Sequence, residues 1–216
     1  MKMRRIATTV FVPTLLVACG CEREGTSSGD KEIVVSGEGL SGEISSKLNA
    51  TGWNDQVGES FGLWVSIARR RVIGIKNRQV LFVYRCSTAA RGPGNAADSY
   101  KTPLGWHRID ERFGEGLPWG AVLKERKYTG EIWNPSRSTT DDLILSRILW
   151  LRGLEPGVNS GPRVDSHARY IYIHGTAEEG KLGTPASHGC VRLSNDDVIE
   201  LFDVAQSGTR VLITPW

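Results

Sequence analysis

The chain has 216 residues, 39% of them hydrophobic, with 27 Lys and Arg against 24 Asp and Glu and a formal net charge of +3 at pH 7. The excess is local: Lys2, Arg4 and Arg5 lie in the first eighteen residues, and the remainder balances at 24 basic and 24 acidic. The charge therefore reads as a targeting feature and excludes a general nucleic-acid-binding surface. The length suits a leader and one domain.

In chain order, the cationic start runs into Ile6–Val17, apolar except for Thr8, Thr9, Pro13 and Thr14. This is a secretory signal whose core is too short to be a permanent span. It ends in Leu16-Val17-Ala18-Cys19, which resembles the lipobox of bacterial lipoproteins. The resemblance implies cleavage before Cys19 and acyl chains on it. Cys21 is the alternative acceptor, behind a poorer tripeptide. More than one acyl chain holds a protein stably to a membrane. Gly20 is no acidic retention signal, so the expected address is periplasmic, at the inner leaflet of the outer membrane. Cys21, Cys86 and Cys190 then remain, an odd number for an exported protein. A free thiol in an oxidising compartment is a liability unless its reactivity is used.

Residues 19–61 read as the lipidated cysteine and a flexible tether rich in Gly, Ser, Glu and Lys, with one apolar run at Ile33-Val34-Val35. Residues 62–216 read as one domain. Period-two patterns predict strands at 64–67, 71–75 and 79–84, then at 105–109, 121–127, 143–151, 169–173 and 210–213. A helix is predicted from Asp196 to Ala205, capped by Ser194 or Asn195, with Val198, Leu201, Phe202 and Ala205 on one face and Gly208 ending it. The sum is a mostly β domain with one or two short helices, closed into a sandwich or barrel. Residues 106–150, rich in tryptophan and charge, read as a lid over the substrate.

Chemistry concentrates in His174-Gly175-Thr176 and Ser187-His188-Gly189-Cys190-Val191-Arg192, with a histidine sixteen residues before a cysteine. A thiol attacks a carbonyl as thiolate, and a neighbouring imidazole can take its proton. Alternation over Arg169–His174 places Ile171 and Ile173 in the core and Tyr170, Tyr172 and His174 on a cleft-lining face, with His174 emerging at the strand end and Gly175 turning the chain. The second imidazole nitrogen needs a carboxylate or a backbone carbonyl. No acidic residue stands at an obvious position, so a carbonyl just after His174 is the expected partner. The amides of Gly189 and Cys190 are placed to face a developing oxyanion.

This pattern resembles the signature of the L,D-transpeptidase (YkuD-type) family. Thr102-Pro103-Leu104-Gly105 is similar to its Thr-Pro-x-Gly element, and Gly208–Ile213 to its ending, so the resemblance covers about residues 62–214. It implies a YkuD-like β-sandwich or barrel in which Cys190 is the nucleophile, His174 the base and Gly175 the source of the orienting carbonyl. His188 lines the site and Gly189 serves the oxyanion hole. Arg192 contacts substrate or braces the loop, with Ser187 and Thr176 also on the substrate side. It further implies attack after the third residue of a peptidoglycan tetrapeptide stem, release of D-alanine and transfer of the acyl group to an amine. No cofactor is needed. Water as acceptor would make a carboxypeptidase or amidase, and loss of chemistry a tethered peptidoglycan-binding module. Zinc on His174, His188 and Cys190 is disfavoured because no second ligand pair stands at short spacing; no metal is expected. His107 and His167 read as surface or structural, and Cys86 as core.

Overall fold

The computed structural model describes residues 40–136 and 141–216. The expected signal peptide, Cys19, Cys21 and the run at 33–35 lie outside the described residues.

Two helices come first, α1 (Gly42–Ala50) and α2 (Trp53–Gln56). Strands β1 (Gly62–Ser66), β2 (Arg71–Lys76) and β3 (Gln79–Arg85) then form a meander. The β2–β3 turn places Asn77 and Arg78 at φ 52 and 62, the left-handed geometry that a two-residue hairpin loop requires. After β4 (Gly105–Phe113) comes the hairpin of β5 (Ala121–Lys124) and β6 (Lys127–Ile132), then β7 (Ile144–Gly153). Strands β8 (Tyr172–Thr176) and β9 (Val191–Leu193), helix α3 (Asn195–Val204) and strand β10 (Arg210–Thr214) complete the order.

The strands lie in the order β3-β2-β1-β10-β4-β7-β8-β9. The β1–β10 and β8–β9 pairs are parallel and the rest antiparallel. Ser87, just past β3, exchanges both backbone hydrogen bonds with Arg192 of β9, each 2.9 Å, so the far edge of the sheet returns to the near one. The mostly β, barrel-like architecture expected from the sequence is what the chain adopts.

Alternation sorts the side chains. Leu63, Val65, Leu149, Leu151, Ile173, Val191, Val211 and Ile213 enter the main core, where Val198, Leu201 and Phe202 of α3 meet them. The opposite face of β1, β2 and β10 is buried too, with Trp64, Ile73, Ile75 and Leu212 lying under Ile44 and Leu48 of α1 and Trp53 of α2. A strand covered on both sides needs a continuous apolar run, and Leu63-Trp64-Val65 is one. Helix α3 starts as predicted, Ser194 Oγ accepting the Asp197 amide at 3.0 Å.

Three expectations need correction. Leu40 and α1, inside the segment read as tether, are already packed against the sheet. Only Ile44 and Leu48, one turn apart, give α1 an apolar side, and each such residue contributes about 1.5–3 kcal/mol when buried. Docking on Trp53 and Trp64, rather than local pattern, makes this helix. Second, residues 106–150 are not one lid, since β4 and β7 are core strands and the β5–β6 hairpin branches from β7. Third, the strand predicted over 169–173 begins only at Tyr172. Asp165 accepts the amides of His167 and Ala168, and Tyr170 sits at φ 55, so a turn precedes the strand.

Candidate functional site

Strands β8 and β9 run side by side in parallel, with Ile173 opposite Val191 and His174 opposite Arg192. Cys190 stands one residue before β9, so this register fixes the thiol beside the strand that carries His174. The sulfur is held by the backbone of β8 and the turn before it. It accepts from the Tyr172 amide at 3.4 Å and donates to the Tyr170 carbonyl at 3.4 Å. Cys190 packs against the buried cluster of Tyr172, Trp150, Ile148 and Leu123.

His174 lies within β8, not at its end, and is 2% exposed. Its Nδ1 donates to the Gly175 carbonyl at 2.8 Å, the orientation expected from the sequence, and this leaves Nε2 as the basic nitrogen. Burial drives its pKa down to about 4, with the Gly175 hydrogen bond and the Asp142 charge pulling the other way. Burial likewise pushes the Cys190 thiol up to about 11, offset in part by the Tyr172 amide. Both groups are thus neutral at pH 7, and a proton must leave the thiol as attack proceeds.

Gly175 does not turn the chain. A Cβ there would meet Asn195 Oδ1 at 2.6 Å and the Leu145 carbonyl at 2.7 Å, so glycine is needed for close approach. Asn195 is the prop behind it: it accepts from Ser146 Oγ at 2.7 Å and donates to the Thr176 carbonyl at 3.0 Å and to Glu179 at 2.8 Å. Ser146 itself sits at φ 64 in the bulge where β5 replaces β4 alongside β7. A buried serine in that conformation stores about 1–3 kcal/mol of strain, offset here by hydrogen bonds to Asn195 and from the Gly120 amide.

The loop bearing the cysteine is held from several sides. Gly189 has φ 134, a conformation that favours glycine, and its amide donates to Ser187 Oγ at 3.2 Å. In the absence of substrate that amide is engaged by Ser187, and the Tyr172 amide points at the sulfur. Ser187 is buried, with its hydroxyl donating to the Cys190 carbonyl at 2.6 Å. Thr102, the threonine of Thr-Pro-x-Gly, donates to the Gly189 carbonyl at 3.0 Å and accepts the Ala89 amide at 2.9 Å. This ties three segments together beneath the thiol. Thr176 is also buried and accepts the Glu178 amide at 3.1 Å. Ser187 and Thr176 thus serve the backbone and not a substrate surface.

Arg192, 2% exposed, is a brace. It pairs with Asp142 at 2.5 Å and with Glu178 at 2.8 Å, which compensates a buried cation. His188 is exposed and donates from Nδ1 to Asp142 at 3.1 Å. Burial opposes charge on Asp142, but the His188 hydrogen bond and the Arg192 charge prevail, holding its carboxyl below the usual range. Asp142 thus joins His188, Arg192 and, through space, His174. Sequence reading found no such carboxylate because Asp142 stands 46 residues from His188 with no local motif. Thr102, quoted only as part of a motif, and Asn195, weighed only as a cap, were the other missed supports.

His107 is not at the surface: it is fully buried, with Nδ1 donating to the Gly105 carbonyl at 3.0 Å and Nε2 against Ser166 Oγ at 2.9 Å. Burial lowers its pKa to about 4. Cys86 is core, as expected, free of any disulfide, and pushed up to about 12 by burial. Among the described residues, metal-type donors gather at Asp110, Glu111 and His167, a group that includes neither Cys190 nor His174. Asp110 is already neutralised there by Arg108 and Arg152 at 2.8 and 2.6 Å.

A closed mixed sheet that carries a partly exposed thiol and a buried, carbonyl-oriented imidazole at two neighbouring parallel strands makes a candidate cysteine–histidine site. The chain belongs to the L,D-transpeptidase catalytic domain (YkuD) family, whose model matches residues 60–213. It is 52% identical over 46 residues to the putative L,D-transpeptidase YqjB of Bacillus subtilis (strain 168), covering 21% of this chain and 26% of that protein. A putative L,D-transpeptidase from the ATP synthase subunits region of Fuscovulum blasticum is 31% identical over 121 residues, covering 50% of this chain and 59% of that protein. The chain thus matches only part of the length of these curated relatives. Among solved structures, the L,D-transpeptidase from Xylanimonas cellulosilytica aligns over 81% of this chain and 71% of that one, at 19% identity and a TM-score of 0.42.

Proposed function

We propose that this protein is a cysteine-dependent peptidoglycan L,D-transpeptidase. Cys190 attacks the carbonyl after the third residue of a tetrapeptide stem, and its proton passes to His174 Nε2 and on to the departing D-alanine amine. The resulting thioester is resolved by an amine acceptor from another stem or from a protein. The observation that supports this reading is the β8–β9 register, which seats the thiol on the Tyr170–Tyr172 backbone two residues before the buried imidazole that Gly175 orients. Family membership supports the same chemistry. Two neutral partners suit a site that ionises only when substrate arrives, because a buried thiolate–imidazolium pair without substrate would be costly.

The test uses soluble protein from Glu22 onward, wild type and Cys190→Ala, incubated with purified tetrapeptide muropeptides and read by mass spectrometry. A Cys190-dependent dimer lacking one alanine is expected. Cys190-dependent tripeptide without dimer would make water the acceptor and the protein a carboxypeptidase. Retained turnover in the variant would refute the mechanism.

The leader supports a matching address, with Cys19 acylated and the domain tethered to the outer membrane's periplasmic face. Metabolic labelling with a fatty acid tests this. Wild type should take up label and Cys19→Ser should not; equal labelling of the two would refute Cys19 as the anchor.

A further inference from the structure

Among the described residues, a guanidinium held by the aromatic side chains around the Cys190 seat forms no ion pair with a carboxylate. Arg126 occupies the two-residue turn between β5 and β6, where Glu125 and Arg126 have φ 50 and 67. This turn geometry favours Asn or Gly, as the β2–β3 turn with Asn77 partly respects, and Glu125-Arg126 departs from it. The Arg126 side chain reaches back across the strip that flanks Cys190. Its guanidinium carbon lies 4.7 Å from the Trp150 ring centre and 5.3 Å from that of Tyr170, and its Nη1 donates to the Tyr172 hydroxyl at 3.1 Å. Trp150 is fixed in turn by stacking on His167 at 3.7 Å and 7°.

Tyr170 and Tyr172 are the two residues whose backbone holds the Cys190 sulfur. Their side chains, with Trp150, hold Arg126. A group bound to Arg126 is therefore about one side chain away from the thiol. Of the five N–H donors on a guanidinium, the tyrosine hydroxyl takes one. Arg126 forms an ion pair with no carboxylate among the described residues, and Glu111 acts on it only through space. A cation braced by aromatic faces, with spare planar donors, matches a two-oxygen anion.

We infer that Arg126 is a specificity residue that binds a carboxylate flanking the scissile bond of the acyl-donor peptide, on its third or its terminal residue, while the donor's scissile carbonyl sits at Cys190. This rests on the transpeptidase reading and adds to it how the donor is recognised. Two carboxylates of a tetrapeptide donor flank the scissile bond and are the ones meant here: the terminal one of the leaving D-alanine, and a side-chain one on the third residue where that residue is a diamino dicarboxylic acid.

The test compares wild type, Arg126→Ala and Arg126→Lys on three tetrapeptides: one with both carboxylates free, one amidated at the C-terminus and one amidated on the third-residue side chain. On the free donor, Arg126→Ala should lower kcat/KM at least tenfold, chiefly through KM, and Arg126→Lys should lose less. The variant's deficit should vanish on whichever amidated donor lacks the recognised group, which identifies the carboxylate. A deficit of equal size on all three donors, or kcat/KM within twofold of wild type on the free donor, would overturn the inference while leaving the transpeptidase reading intact. A wild type inert on every donor would overturn both. Melting curves of the variants should match wild type, because Arg126 lies at a hairpin tip outside the core.

Discussion

The molecule contains two imidazoles and two thiols in nearly the same electrostatic condition. His107 and His174 are both buried, both donate from Nδ1 to a nearby backbone carbonyl, and burial brings both to about 4. Cys86 and Cys190 are both free and pushed up, to about 12 and about 11. The pairs differ in what their remaining atoms meet. His107 Nε2 is occupied by Ser166, and Cys86 lies wholly in the apolar core. His174 Nε2 has no hydrogen-bond partner among the described residues, and Cys190 stays partly exposed on a polar backbone seat. Perturbed titration alone therefore does not mark a site. What sets His174 and Cys190 apart is an uncommitted lone pair on the strand whose Tyr172 amide seats a partly exposed thiol.

Exchanging the histidines tests this most sharply. His174→Gln should reduce turnover by about 10²–10⁴-fold, the usual contribution of a general base. His107→Gln should leave kcat near wild type and instead destabilise the fold by about 1–3 kcal/mol through its buried hydrogen bonds. Parallel kinetics and urea unfolding read both, and a large kcat loss in the His107 variant would dissolve the distinction. The thiols should differ by about 10²-fold in alkylation rate under native conditions, with Cys190 modified first and its rate climbing with pH up to about 11. A plateau already reached near pH 6 would mean a preformed thiolate and contradict the neutral pair.

Stability against pH should not separate the histidines. A histidine whose folded pKa is depressed gives stability that is full above its unfolded value of about 6.5 and declines as pH falls, levelling out below the folded value. Both residues therefore predict a loss between about pH 6.5 and 4, on the order of 3 kcal/mol each. The His107→Gln variant should retain only about half of this slope in urea titrations. The smallest effect is expected at Asp142. Asp142→Asn keeps its shape but removes the charge shared by His188, Arg192 and His174, and should lower kcat by about tenfold, consistent with about 1.4 kcal/mol. An unchanged kcat and pH profile would limit Asp142 to bracing Arg192.

Local chemistry was legible in the sequence and long-range chemistry was not. The cap at Ser194, the apolar face of α3, the alternation of β1 and the Gly175 carbonyl behind His174 each follow from neighbours a few residues away. Helix α1 escaped because two apolar residues in nine make a faint pattern, and tertiary docking supplies the rest. The late start of β8 escaped because Tyr170-Ile171-Tyr172 alternates like a strand while Asp165 gathers amides into a turn. Asp142 and Thr102 reach Arg192 and Gly189 only through the closed sheet, so no spacing in the chain announces them.

The position of β10 carries a consequence in time. It is the last of the described strands in chain order, yet it lies between β1 and β4, bridging the meander of β1–β3 to the strands that lead to the thiol. A nascent chain stopped before residue 210 holds both halves of the site but no central strand to join them. Pairings this distant in sequence form late and slowly. The fold thus sets an order of assembly: the two halves are joined into one sheet only once β10 has been made and has paired with β1 and β4.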